Sequence, residues 1–158
     1  MAGNMNKLEE LIRGHLQKAR IIQVATSNSD QPWTCTVHFY ADEKLNFYWF
    51  SRLDRRHSKE IAKNPKISIY ILVHEDKPTE KYVIGISTEG TAQLVDTNDE
   101  IDNIKAYVAK FSISKSFLDD VISGKEPHKF YKFTPSNFVL FDNKNFPEQS
   151  RQEWTVET

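Results

Sequence analysis

Residues 47–72, FYWFSRLDRRHSKEIAKNPKISIYIL, decide how this chain folds and where it binds. Four consecutive aromatic residues, Phe47, Tyr48, Trp49 and Phe50, favour an extended strand, because large flat side chains pack well on a pleated surface. Ser51 and Arg52 lead out of it into a turn carrying Asp54, Arg55, Arg56 and His57. A short helix is predicted over Ser58 to Lys63. Asn64-Pro65 ends it, because the residue before a proline is pushed out of helical backbone. A β-rich run then predicts a strand over Lys66 to Val73. Basic residues therefore gather at a helix start, where free N–H groups and the positive end of the dipole already attract anions. Cations there are disfavoured unless an anion compensates them. The cluster of Arg52, Arg55, Arg56 and Lys59 thus reads either as a phosphate site or as a solvated helix start, the usual fate of a surface charge cluster. Aromatic residues beside it suit a planar ring, and together they point to a phosphorylated, ring-bearing cofactor.

The flanking sequence reads as further strands. Trp33 to Tyr40 alternates, with Trp33, Cys35, Val37 and Phe39 on one face and Thr34, Thr36, His38 and Tyr40 on the other. It is expected to form a hairpin with Leu45 to Phe50 across a short ADEK turn. Arg20 to Thr26 is β-rich and runs into the turn signal SNSDQP. Before it, Leu8, Leu11, Ile12 and Leu16 make one face of an amphipathic helix.

Downstream, HEDKPTEK (74–81) is a polar connector. Tyr82 to Val95 is a long strand candidate whose Gly85 and Gly90 signal a bulge, a bend or a close backbone approach. Thr97-Asn98-Asp99-Glu100 has the pattern of a capping box before a helix ending near Phe111. A second helix is expected over Ser114 to Ile122, ended by Gly124 and Pro127. His128 to Phe133 and Asn137 to Phe141 read as two strands around Thr134-Pro135-Ser136, and Gln149 to Val156 as a last one. Many antiparallel strands with few helices predict a mainly β, nearly closed barrel with peripheral helices, as a single domain over 1–158.

Charge and composition remove several function classes. The 21 basic and 22 acidic residues of 158 nearly cancel, so neither nucleic acid nor a membrane surface is an expected partner. The start, MAGNMNKLEELI, lacks the apolar core of a signal peptide. Cys35 is the single cysteine, which rules out an internal disulfide and fits a reducing, cytoplasmic setting. The histidines at 15, 38, 57, 74 and 128 show no metal-binding spacing, so no metal is expected. No G-x-S-x-G, P-loop or G-x-G-x-x-G motif occurs.

With this order in place the chain resembles the FMN-binding split-barrel superfamily, the relatives of pyridoxamine 5'-phosphate oxidase. The matching features are Trp49-Phe50-Ser51, then Arg55-Arg56-His57, the short helix, and Asn64-Pro65-Lys66-Ile67-Ser68-Ile69, with Thr36 to Phe39 and Ser87 to Ala92 in barrel-strand positions. The resemblance covers Lys7 to Phe141 and implies a six- to seven-stranded antiparallel split β-barrel. It places the family's phosphate-binding Arg-Lys pair on Arg56 and His57, with Arg55 in the position of the preceding serine. Phe50 and Ser51 fall where the family lines the flavin edge, His38 on the strand beneath the ring, and Ser87 on the strand that closes the pocket. The lysine after the arginine is a histidine here, and Lys59, a turn along from Arg55, is the candidate to supply the missing charge.

The resemblance further implies a homodimer with FMN in two interface clefts. It also implies a flavin-dependent oxidoreductase acting with a small-molecule substrate or electron donor. Trp154 and Arg151 are candidates to reach the second subunit. The rival reading is a non-catalytic flavin- or haem-binding dimer, a carrier or stress protein, in which His38 or His57 would be the axial ligand.

Overall fold

The computed structural model describes residues 6–73 and 77–156, so His74 lies outside the described residues. The elements run α1 (Lys7–Lys18), β1 (Ile21–Asn28), β2 (Gln31–His38), β3 (Tyr40–Ala41), β4 (Phe47–Arg52), α2 (Arg56–Lys63), β5 (Lys66–Leu72) and β6 (Ile84–Leu94). They continue through α3 (Ile101–Lys110), α4 (Lys115–Ile122), β7 (His128–Asp142) and β8 (Arg151–Thr155). All the strand pairs are antiparallel, in the order β2-β1-β5-β6-β7-β4-β3, with β8 added to β7 off that path. β2 and β3 occupy opposite edges of this sheet, yet only Phe39 separates them in the chain. The sheet must therefore curl until its two edges meet. Phe39 is fully buried at that seam and its N–H donates to the Arg20 carbonyl at 3.1 Å, while Tyr40 pairs with Tyr48. The fold is a mainly β split barrel with helices around it.

Period-two alternation fills the barrel. Ile67, Ile69 and Ile71 of β5 point inward while Lys66, Ser68, Tyr70 and Leu72 point out. They join Ile22, Val24, Phe47, Trp49, Phe133 and Phe138 in one core, to which α1 adds Ile12 and Leu16. Burial of each such side chain contributes about 1.5–3 kcal/mol. A second cluster forms on the other side of β4, where Tyr48 and Phe130 pack beneath Ile104, Tyr107 and Val108 of α3 and Val121 of α4. The aromatic run is thus divided by the strand pleat: Phe47 and Trp49 face the barrel, Tyr48 and Phe50 the helices.

Several expectations change. The hairpin expected between Trp33–Tyr40 and Leu45–Phe50 shrinks to Tyr40 and Ala41, because β2 is engaged along its whole length by β1. The β1–β2 turn is instead tight, with Ser29 (φ 50°) and Asp30 (φ 64°) both left-handed, as two-residue hairpins require. The two strands expected around Thr134-Pro135-Ser136 are one 15-residue strand. Its proline is tolerated because it faces Gly90 where the β6–β7 register shifts.

The capping box does not form. Glu100 is itself the N-cap of α3 without a capping bond, and its carboxylate accepts from Lys132 (2.9 Å) and Asn103 (2.7 Å). Trp154 packs on its own barrel, stacked on Phe138 at 5.8 Å. Among the described residues no helix is long and apolar enough to cross a membrane.

Candidate functional site

Helix α2 starts at Arg56, two residues earlier than predicted, with Arg55 as a cap that makes no side-chain bond. Helical periodicity divides its eight residues. His57, Ser58, Glu60 and Ile61 are buried against the barrel, while Arg56, Lys59 and Lys63 stay exposed. The buried face carries polar locks. The Ser51 hydroxyl and His57 Nε2 lie 2.6 Å apart. Burial, followed by the charge of Arg55, holds the His57 pKa below its ordinary 6.5. Glu60 accepts hydrogen bonds from the Thr26 hydroxyl and, at 2.8 Å, from Arg56 Nε. These bonds, Thr26 first, hold the Glu60 carboxyl below the usual range.

The Arg56 guanidinium also covers the Trp33 ring at 4.2 Å. It is therefore oriented by β1, β2 and its own helix, and its bond to Glu60 engages Nε while the terminal nitrogens remain available. Arg52 is different, because it is paired with Asp54 at 3.2 Å. Among the described residues no carboxylate lies within 4.0 Å of Arg55, Lys59 or Lys63. Lys59 and Lys63 join Arg56 in lining a cleft of about 340 Å³, together with Asn28, Asp54 and Glu60, while Arg55 precedes it as the cap of α2.

A second groove, of about 510 Å³, begins one residue away on β1 and runs over the outer sheet face past Ala25, Ser27, Ser68, Glu89 and Ser136. Asn64 ties the two together, donating from Nδ2 to the carbonyl (3.3 Å) and the hydroxyl (3.2 Å) of Ser27. The groove depends on Gly90, where an added Cβ would come 2.1 Å from the Thr134 carbonyl. Beyond it the outer face carries exposed apolar side chains. Leu72, Gly85 and Phe141 are in register across β5, β6 and β7, and Tyr70 lies over Gly85 so closely that a Cβ there would meet its hydroxyl at 2.3 Å.

The predicted residues divide between these surroundings. Arg56 and Lys59 line the charged cleft, and Arg55 stands next to them in the chain as the cap of α2. Ser51 and His57 lie buried behind it, bonded to each other. Ser87 is exposed on the outer face opposite Tyr70 and Val139, two residues from Glu89. His38 is not brought to the cleft: it sits at the far end of β2 from Trp33, exposed, 4.9 Å from the Phe111 ring. Phe50 packs among Tyr107 (5.0 Å), Phe117 (5.4 Å) and Phe130 (4.7 Å) under the helices.

Sequence reasoning missed Thr26, Trp33, Glu60, Lys63 and Glu89. The Arg56–Glu60 pair was readable from its i, i+4 spacing. Thr26 and Trp33 come into place only through the β1–β2 register, in which they are partners, and no local pattern announces that.

The family model described as pyridoxamine 5'-phosphate oxidase matches residues 8–140. No curated protein matches the chain. Among solved structures, a conserved hypothetical protein from Mycobacterium tuberculosis superposes with TM-score 0.71 at 14% identity, covering 98% of this chain and 94% of that one. HutZ, a haem storage protein from Vibrio cholerae, does so with TM-score 0.62 at 19% identity, over 82% and 91%. An FAD-binding protein from Mesorhizobium loti gives TM-score 0.57 at 15% identity, over 85% and 92%. At such identities these structures speak for the fold. The family match, spanning most of the chain, goes further: this protein belongs to the pyridoxamine 5'-phosphate oxidase family.

Proposed function

We propose that the protein binds FMN, with the phosphate in the charged cleft at the start of α2 and the ring in the adjoining outer-face groove. The observation that carries this reading is the outer face of α2. Arg55, Lys59 and Lys63 stand there without carboxylate partners among the described residues, around an Arg56 held over Trp33 and beside a groove of ring-sized volume. The donor set fits a phosphate, since guanidinium and ammonium groups line one cleft along the two turns of the helix. His57 supports the site indirectly, by anchoring α2 through Ser51. Bound flavin supplies two-electron redox chemistry, while the chain holds the phosphate, flanks the ring and shapes the substrate side.

The exposed apolar residues Ile21, Tyr70, Leu72 and Phe141 motivate a homodimer through the outer sheet face, which would enclose the groove between subunits. Ser87 lies on that face. In this reading the protein is a cytoplasmic oxidoreductase using a small-molecule substrate or electron donor. The second reading, a haem carrier, is favoured by the fold likeness to a haem storage protein and by the exposed His38. His57 is poorly suited to be its axial ligand, since Nε2 already meets Ser51.

Absorbance of the purified protein separates the readings. Flavin bands that persist through gel filtration support the proposal, a Soret band favours haem, and failure to take up added FMN rejects it. Sedimentation of a flavin-loaded monomer at micromolar concentration would reject the shared cleft.

A further inference from the structure

Lys110 ends α3 beside the seam where the barrel edges meet. Its Nζ lies 4.8 Å from the centroid of the fully buried Phe39 ring and 5.7 Å from that of Phe111. It donates to the Ala19 carbonyl at 2.5 Å. Arg20 covers the same Phe111 ring at 4.7 Å and donates from Nη1 to the Lys110 carbonyl at 3.5 Å. The His38 ring lies 4.9 Å from that of Phe111. Three basic side chains thus surround one ring, and among the described residues none of them has a carboxylate within 4.0 Å. The ammonium and the guanidinium share an apolar ring and repel each other, with no anion to offset them. Burial first, and the Arg20 charge second, bring the pKa of Lys110 from its ordinary 10.5 down to about 8. The contacts suit a neutral amine, since one N–H still donates to Ala19 while the nitrogen keeps a lone pair. Lys110 is only partly buried, which leaves it open to small molecules.

We propose that Lys110 is a nucleophilic amine that condenses with small aldehydes bearing an anionic group. The lone pair of Nζ attacks the carbonyl carbon, and a C–N bond forms as the carbonyl π electrons pass to oxygen. Protons move from nitrogen to that oxygen, the C–O bond breaks and water leaves. An imine then joins the aldehyde carbon to Lys110, with no net oxidation or reduction. Three features select this chemistry: an amine set among aromatic rings, an exposed guanidinium beside it to hold the anion, and no carboxylate to keep the amine protonated. None of these residues lines either groove assigned to FMN, so the site stands apart from that reading.

Glyoxylate, an aldehyde with a carboxylate, is the probe, and propionaldehyde is its uncharged counterpart. The full-length protein is treated with a limiting amount of either near neutral pH, imines are fixed with cyanoborohydride, and peptide mass mapping follows the rate at each lysine. Free amine at Lys110 should exceed that of an ordinary lysine by roughly a hundredfold, and its lower basicity returns part of this advantage. Glyoxylate should therefore label Lys110 about tenfold faster than the exposed Lys105 and Lys125. Lys110→Arg keeps a donor for Ala19 and a cation over the rings, so it should lose the fast label at an unchanged unfolding midpoint. Arg20→Gln should reduce the preference for Lys110 more with glyoxylate than with propionaldehyde. Even labelling of the lysines in the parent protein overturns the proposal, as does a fast phase that survives in Lys110→Arg. A preference for Lys110 that is equally large with propionaldehyde, or that Arg20→Gln lowers equally for both, overturns the anionic class of aldehyde.

Discussion

The two faces of α2 both carry polar side chains and have opposite roles. On the inner face every charged or titratable group is closed off: His57 meets Ser51, and Glu60 meets Thr26 and Arg56. On the outer face, Arg56 is paired with Glu60, while Arg55, Lys59 and Lys63 have no carboxylate within 4.0 Å among the described residues. The inner face thus fixes the helix to the barrel, and the outer face presents charge that the fold itself does not consume. A helix held by its buried residues can carry repelling cations, Arg55 and Arg56 of them at its positive end, and the proposed phosphate site rests on that combination.

Substitutions on the two faces should therefore separate stability from binding. The largest effect is expected from Ile61→Ala, which removes a side chain 4% exposed. It should destabilise the fold by about 2–5 kcal/mol in denaturant unfolding, while the folded fraction keeps its FMN affinity. Ser51→Ala comes next. Leaving the buried imidazole without its partner should cost about 1–3 kcal/mol by the same measurement. If either change instead lowered FMN affinity at unchanged stability, the division between faces would fail.

The inner face also predicts a pH dependence. Burial lowers the folded-state pKa of His57, so the unfolded chain binds more protons than the folded one just below pH 6.5. Its stabilising contribution is complete above pH 6.5 and declines as pH falls through the folded-state value. His57→Gln should flatten that part of the stability profile, and parallel profiles would mean that the imidazole titrates as in the unfolded chain. The smallest effect is expected from Lys63→Ala on the outer face. FMN affinity should fall only a few-fold, with stability within about 0.5 kcal/mol of the parent.

Much of the barrel was legible because its information is local. The alternation in β5, the Asn64-Pro65 stop and the glycines of β6 each state a backbone need within a few residues. What escaped depends on partners distant in sequence. Phe50, which the resemblance puts at the flavin edge, packs with Tyr48 under α3 and α4, elements that lie some fifty or more residues later in the chain. The resemblance puts His57 in the position of the family's phosphate-binding lysine, and the helix was expected to start only at Ser58. With the start at Arg56, His57 falls within the helix on the side that turns to the barrel and Ser51. The basic cluster itself was visible, but which of its members are neutralised was not, since Arg52–Asp54 and Arg56–Glu60 are decided by side-chain geometry.

The central claim is that the outer face of α2 recognises a phosphate through Arg56. The direct test is a paired titration of FMN and riboflavin into the parent protein and Arg56→Ala. A charge-assisted bond to phosphate contributes about 1.5–3 kcal/mol, so FMN affinity should fall roughly ten- to a hundredfold while riboflavin affinity stays nearly constant. Equal losses for the two ligands, or none for either, would contradict the account.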